Sequence, residues 1–446
     1  MFLEPALPRA GLSVSLRMQQ IRQSPDSPPS TGSLPPPSNY RWVVVGLWMT
    51  SGVAGFMVLS TLGILLPSIS ADLDISPFEQ GLLGSSAFWG NIALAIPLSW
   101  WTSRYGAKAL TSVTMVMATA ALFLQGWSPG FVVLLAGRLA FGISVMARQP
   151  ARVSLTQQWF APREVVFVNS VSNMLFGLVV GGGLAGAPFI LAAFEDDWRS
   201  TLNVFAGLFV VLTILWMIFG KERPIPSPAN HQGTPGIREP GVVQGALAYR
   251  DLWVQGFGFV GATLCWSAFL AFYPTLMLDT YQLSLQWSGV ILALGVFVGG
   301  AAGLVMGYIV MNKGYGKLIL QVLGILMPVT YLGMIITGSI PILIVLTLIN
   351  GVAWGFWPIL FTVPFHLPGI KPRQVAVAVA FTMMMSSTGT ALGPLCAGLL
   401  QQMLGDLQQT LFILSFTGLS LTAAGILLRT GTQPNIQDSP EAAPAD

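Results

Sequence analysis

From Trp198 to Gly220 the chain reads WRSTLNVFAGLFVVLTILWMIFG, with no charged residue after Arg199. A helix needs roughly twenty apolar residues to cross about 30 Å of hydrocarbon. Lipid gives the backbone no hydrogen-bond partners, so such a run is either a helix or a strand of a closed barrel. It is too long and too continuous for the alternating segments of about ten residues from which barrels are built. Helix is the only consistent reading. Comparable runs recur on both sides and give twelve expected spans: 41–69, 79–101, 108–127, 131–156, 166–194 and 198–220, then 252–277, 286–311, 317–337, 341–366, 374–402 and 409–428.

The composition agrees. The chain is 53% hydrophobic and only 8% charged, too little charge for the surface of a water-soluble protein of 446 residues. The net charge of +3 comes from dispersed basic residues, which excludes a nucleic-acid-binding face. Cys265 and Cys396 both fall in apolar segments and suggest neither a disulfide framework nor a metal cluster. No phosphate-binding G-x-x-x-x-G-K-[S/T] and no H-E-x-x-H occurs, and the two histidines, His231 and His366, lie far apart. The expectation is therefore a protein without cofactor, metal or enzymatic activity. Residues 1–40 lack an apolar stretch of signal-peptide length and are rich in Pro and Ser, as a disordered tail would be.

The loops alternate in sign. One set carries Arg104, Lys108, Arg163, Lys221, Arg223, Arg238, Arg250, Lys313, Lys317, Lys371 and Arg373. The other carries Asp72, Asp74, Glu79, Glu195, Asp196, Asp197, Asp279 and Asp406, with Arg199 as its one basic member. The positive-inside rule places the first set and both termini in the cytoplasm of a multi-pass protein of the cell's inner or plasma membrane. The chain also repeats itself. Gly177-Leu-Val-Val-Gly181-Gly182-Gly-Leu-Ala185-Gly186 is echoed 212 residues later (389 minus 177) by Gly389-Thr-Ala-Leu-Gly393-Pro394-Leu-Cys-Ala397-Gly398, and the same offset carries Arg138 onto Asn350. The expected organisation is a tail (1–40), a six-helix bundle (41–220), a cytoplasmic linker (221–250), a second bundle (251–430) and a C-terminal tail (431–446). Duplicated bundles around a midplane site are a recurring transporter plan.

Three segments resemble the major facilitator superfamily. The first is Leu66-Pro-Ser-Ile-Ser-Ala-Asp72-Leu-Asp74-Ile-Ser76. The second, Ser99-Trp-Trp-Thr-Ser103-Arg104-Tyr-Gly106-Ala107-Lys108, is similar to the family's G-x-x-x-D-R-x-G-R-K loop between spans two and three. Here Ser99 replaces the first Gly, Ser103 the Asp and Ala107 the second Arg, so the charge latch this loop makes in many relatives lacks its acid. The third, Arg138-Leu-Ala-Phe-Gly142 with Pro150 and Trp159-Phe160-Ala-Pro162-Arg163-Glu164, is similar to a pattern of several branches, organic-anion symporters among them. Where those symporters often carry an acid, three positions after the Gly, this chain has Val145. The resemblance implies an all-α membrane fold of twelve transmembrane helices in two pseudo-symmetric bundles, working as a secondary transporter.

Charge within the membrane singles out the candidate site. Arg138 and Arg148 lie inside span four, within about 80° of each other on the helix, and Arg152 lies near its end. Each buried Arg costs about 2.5–3.5 kcal/mol on insertion scales. No Asp or Glu falls in the interior of any span to offset it. Arg138, as the leading anion ligand, or else Arg148 is expected to bind an anionic group through its fork of donors. The alternatives are that Arg138 hydrogen-bonds helix carbonyls and side chains of spans one or two and that Arg148 snorkels to the cytoplasmic interface. Asn91, Asn173 and Asn350 are candidate hydrogen-bonding residues of the pocket, or interhelical glue. Trp266, Tyr273 and Trp354 are candidate stacking residues, or core. Arg104, Gly106, Gly181, Gly182, Gly393 and Pro394 are candidate gating positions, since small residues let helices approach and proline lets them bend. The expected function is a monomeric carrier of a small solute, an organic or inorganic anion, by alternating access. The alternatives are an efflux carrier for amphipathic compounds and a non-transporting receptor.

Overall fold

A computed structural model of the chain describes residues 39–104, 106–148, 151, 155–156, 158–160, 164–222 and 242–429. Every regular element among them is a helix. Ten helical segments are long and apolar enough to cross a membrane. The second and fourth expected spans are helices too, Pro77–Arg104 and Phe131–Ala147, completing twelve.

Three spans break where the sequence reading had them continuous. Span twelve runs Leu407–Ser415, Phe416–Leu419 as a 3-10 segment and Ser420–Leu427. Span one runs Tyr40–Ser60 and then Leu62–Leu73, and the Thr61 hydroxyl at the break bonds back to the Val58 carbonyl at 3.1 Å. Span ten runs Ile340–Ala353, turns through a 3-10 segment Trp354–Phe356 and resumes over Trp357–Thr362. Pro358 explains this break, because a proline ring crowds the carbonyl four residues earlier, here that of Trp354. Span four also differs: its described helix stops at Ala147, with Arg148 as C-cap, short of the expected residue 156. Within the expected linker, Val242–Leu247 is a short helix, and Gly245 lies against the Gln374 side chain at the start of span eleven.

The acidic loops have a structural reason. Even-numbered spans start at that end, and three are capped there by carboxyl groups. Glu79 accepts from Ser76, whose hydroxyl accepts in turn from the Glu79 amide. Asp197 accepts from the amides of Arg199 and Ser200. Asp406 accepts from those of Gln408 and Gln409. Each satisfies orphan amides at the positive end of a helix dipole. Across the same end, Asp72 closes span one onto span six through Arg199 (2.5 Å) and Trp198 Nε1 (3.3 Å).

The two halves pack alike. Spans one and five, one and six, two and four, three and four, and three and six are neighbours. Seven and eleven, seven and twelve, eight and ten, nine and ten, and nine and twelve repeat the pattern. Each half has its own hydrophobic core. The halves meet through spans one and seven, two and eleven, and five and eight. The tightest of these contacts lie toward the acidic end. A Cβ on Gly63 would overlap the Leu270 carbonyl, one on Gly81 the Pro394 carbonyl, and one on Gly398 the Pro77 carbonyl. Such backbone approach is open only to residues without side chains.

Within the first half, Gly142 of span four presses on the backbone of Ala87 in span two. Gly142→Val is expected to destabilise the protein by about 1–3 kcal/mol through overpacking. Thermal unfolding of detergent-purified protein checks this.

Candidate functional site

The two arginines of span four are both buried, yet they are held very differently. Arg138 reaches span one at its break: Nη2 donates to the Leu59 carbonyl at 2.7 Å and Nη1 to that of Val58 at 3.4 Å, while Nε is buried with no partner. These carbonyls lie just before Thr61, where the helical ladder is interrupted, so the guanidinium takes the place of missing backbone donors. Arg148 lies nearer the basic end. Its Nη2 donates to the Ser51 carbonyl at 2.7 Å, while Nε and Nη1 are buried with no partner. Among the described residues only two ion pairs form, Arg41–Glu164 and Arg199–Asp72, and neither involves these arginines. Beside Ser51, Gly52 is buried, but a Cβ placed on it would meet nothing within 4 Å. Packing is therefore loose on that side of span one, whereas Arg148 itself is fully enclosed.

The second half contributes a polar and aromatic group at the break of span ten. Asn350 donates through Nδ2 to Thr330 Oγ1 (2.7 Å) and accepts at Oδ1 from Trp354 Nε1 (3.2 Å). Trp354 faces Trp266 of span seven, with ring centroids 5.0 Å apart and planes inclined by 58°. Tyr273 does not join them. It is fully buried in the second core and its hydroxyl donates to the Met334 carbonyl at 3.3 Å. The side chains of Asn91 and Asn173, and with them Arg104 and Arg152, lie outside the described residues.

The gating candidates separate as well. Pro394 sits between the halves, against Gly81 and Gly84 of span two, and Gly181 lies against Phe297 of span eight. Gly393 instead packs within its own half, on Ser267 and Leu264 of span seven. Gly182 faces an apolar groove of about 430 Å³ between spans one, five and six, flanked by Met57, Leu178 and Leu208. Its outer residues are exposed, so this groove opens sideways to the surroundings of the bundle.

Residues 48–394 match the sequence profile of the Major Facilitator Superfamily. The chain belongs to that superfamily. Relatives include the hexuronate transporter of Bacillus subtilis (strain 168), 26% identical over 272 residues, which is 60% of this chain and 63% of that one. The match thus spans under two thirds of that relative's length. The chloroplastic sodium-dependent phosphate transport protein 1 of Arabidopsis thaliana is 26% identical over 192 residues, 42% of this chain and 37% of that protein. The probable galactarate/D-glucarate transporter GarP of Escherichia coli (strain K12) is 24% identical over 180 residues, 39% of this chain and 38% of that protein. Among solved structures, the nucleoside transporter NupG superposes with a TM-score of 0.71 at 14% identity, covering 88% of this chain and 99% of its own. An inward-facing bacterial homologue of the human lysosomal transporter Spinster gives 0.66 at 15% identity, over 88% of this chain and 95% of that one. At these identities the structures speak for the fold alone. The chain is an integral, multi-pass membrane protein of the superfamily, and its relatives are transporters.

For a superfamily member the loop between spans two and three is short of its acid, and the structure supplies one from elsewhere. Glu222, just past span six, accepts from the amides of Ala107 (2.9 Å) and Lys108 (3.3 Å) and from Gln158 Nε2 (3.3 Å). It caps span three at the point where Gly106 leaves room for its carboxylate. Nothing in the local motif announces Glu222. Ser51 and Gly52 were likewise missed, because a backbone carbonyl and an open space leave no mark in sequence.

The seat of Arg138 makes a stability prediction. Arg138→Leu removes a buried charge but strands the Leu59 carbonyl in lipid, and an unsatisfied buried group costs about 1–3 kcal/mol. A lower unfolding temperature in detergent is expected, with partial recovery in Arg138→Lys. An arginine that served only a ligand would leave stability unchanged or raise it.

Proposed function

We propose that this protein carries a small organic anion across the membrane, with Arg148 as its principal anion ligand. The observation that carries the reading is the fully buried Arg148 guanidinium, whose Nε and Nη1 have no hydrogen-bond partner. An uncompensated charge in a membrane interior is costly, and an arriving carboxylate or phosphate would both neutralise it and accept from its two free donors. That relatives are named for hexuronate, galactarate/D-glucarate and phosphate supports an anion as cargo. Arg138, already engaged at the break of span one, serves geometry before it serves substrate.

In this reading the halves rock about the central site. The tight contacts at the acidic end close one side, and the basic loops with both termini face the cytoplasm. Arg148 lies on the cytoplasmic side of that closure, where an anion entering from the basic end meets it.

Arg148→Gln is expected to reduce anion uptake into proteoliposomes by about a hundredfold, the loss typical when one partner of a buried charged hydrogen bond is removed. Uptake at the wild-type rate in that variant sinks the proposal. Coupling follows from the same inventory. With Val145 where a proton-coupling acid sits in symporters, and no carboxylate among the described interior residues of the spans, exchange or uniport is the expected mode. A pH gradient alone should drive no accumulation in proteoliposomes, and uphill uptake under that gradient would exclude this mode.

A further inference from the structure

We infer that the indole pair Trp266–Trp354 is the subsite for the non-ionic part of the cargo, and that the cargo is therefore an organic carboxylate bearing a flat ring rather than a compact inorganic or acyclic anion. This rests on the reading of Arg148 as anion ligand.

Position comes first. Leu270 of span seven meets Gly63 of span one, and Trp266 lies one helical turn earlier on the same face. Trp266 therefore faces the first half, one turn toward the basic end from where the halves touch. Its depth follows from the same contact: four residues before Leu270, Trp266 is level with about Leu59, roughly one turn from Gly55, which Arg148 touches. The indole pair thus lies about one turn toward the acidic end from the residues that hold Arg148, on the opposite half.

The pair is also built like a binding surface. Trp354 is fixed by the Trp354–Asn350–Thr330 chain of hydrogen bonds, so its ring cannot swing aside. Trp266 is only half-buried, its one ring contact among the described residues is Trp354, and its Nε1 donates to nothing among them. A core tryptophan is enclosed on every side and usually finds a partner for its N–H when buried. This one presents a face and a free donor toward the other half.

The chemistry of the two walls then divides the ligand. The face of an indole is electron-rich and repels an anion, but it stacks on aromatic rings and on the C–H face of a sugar ring. Guanidinium takes carboxylate. A cargo that satisfies both has an anionic end and a flat apolar face, with ring hydroxyls as acceptors for Trp266 Nε1. Phosphate or succinate fills only the first wall.

Equilibrium binding to the purified, full-length protein tests this, with D-glucuronate, benzoate, succinate and inorganic phosphate as probes. At least one of the two ring carboxylates should bind about tenfold tighter than succinate and phosphate, the size of a good stacking contact. Glucuronate ahead of benzoate marks a sugar face as the fitting partner, and the reverse order an aromatic one; either supports the inference. Trp266→Ala should remove that preference and Trp266→Phe retain most of it. Because Trp354 also holds Asn350, the Trp266 variants carry the test. Equal or tighter binding of phosphate or succinate overturns the inference, as does a preference unchanged in Trp266→Ala. Those outcomes leave Arg148 as anion ligand intact. That underlying reading fails separately, if Arg148→Gln binds every probe as the wild type does.

Discussion

A break in a membrane helix must be repaired from within the protein, because lipid offers no donor to a bare carbonyl. At Thr61 the repair is Arg138, whose guanidinium closes on Val58 and Leu59. Much else in the first half follows. The arginine is tolerated because it meets an obligation that no apolar side chain can meet. Span four is pinned to span one at the depth where span one bends toward span seven. Just past the bend Gly63 makes its backbone contact with the other half. At the equivalent position of the second half stands neutral Asn350, beside a proline-driven break in span ten. Asn350 bonds the side chains of Thr330 and Trp354 rather than backbone carbonyls, and span seven is unbroken, so the repair made by Arg138 has no counterpart in the second half.

Arg148 is the counterexample that gives the site its character. Two arginines ten positions apart on one helix are both buried, but Arg138 has both terminal nitrogens engaged and only Nε unpartnered, whereas Arg148 leaves Nε and Nη1 unpartnered. Buried polar groups are usually paired, and a group that is not asks for an explanation. The aromatic pair stands on the opposite half, toward the acidic end from Arg148. Toward the acidic end the halves are held by contacts between backbones. Charge, aromatic pair and closure are therefore stacked in sequence along one axis of the bundle.

Much of this was legible in the chain. Runs such as 198–220 give the spans, because hydrocarbon thickness is a length requirement that sequence displays directly. The signs of the loops gave the two ends, and the structure adds that Glu79, Asp197 and Asp406 are there as caps as well as charges. What was not legible depended on partners far away in the chain. Arg138 and Arg148 look alike as residue types, and only the carbonyls of span one tell them apart. Tyr273 has the composition of a pocket residue but finds the Met334 carbonyl and a closed core. The break at Thr61 leaves no local mark, since Thr111, Thr114 and Thr213 make the same hydroxyl back-bond inside unbroken helices.

The carboxylate of Glu222 carries one more implication, for how the chain is assembled. Span three begins at Ala107, but the group that caps it comes 115 residues later. At about 5–20 residues per second of synthesis, that cap emerges roughly 6–23 s after the helix it completes. Until then the amides of Ala107 and Lys108 must rely on water at the membrane surface. Local capping would have finished the early helices one at a time. Here the start of span three and the end of span six are finished together, so the first bundle becomes whole only when its last helix has arrived.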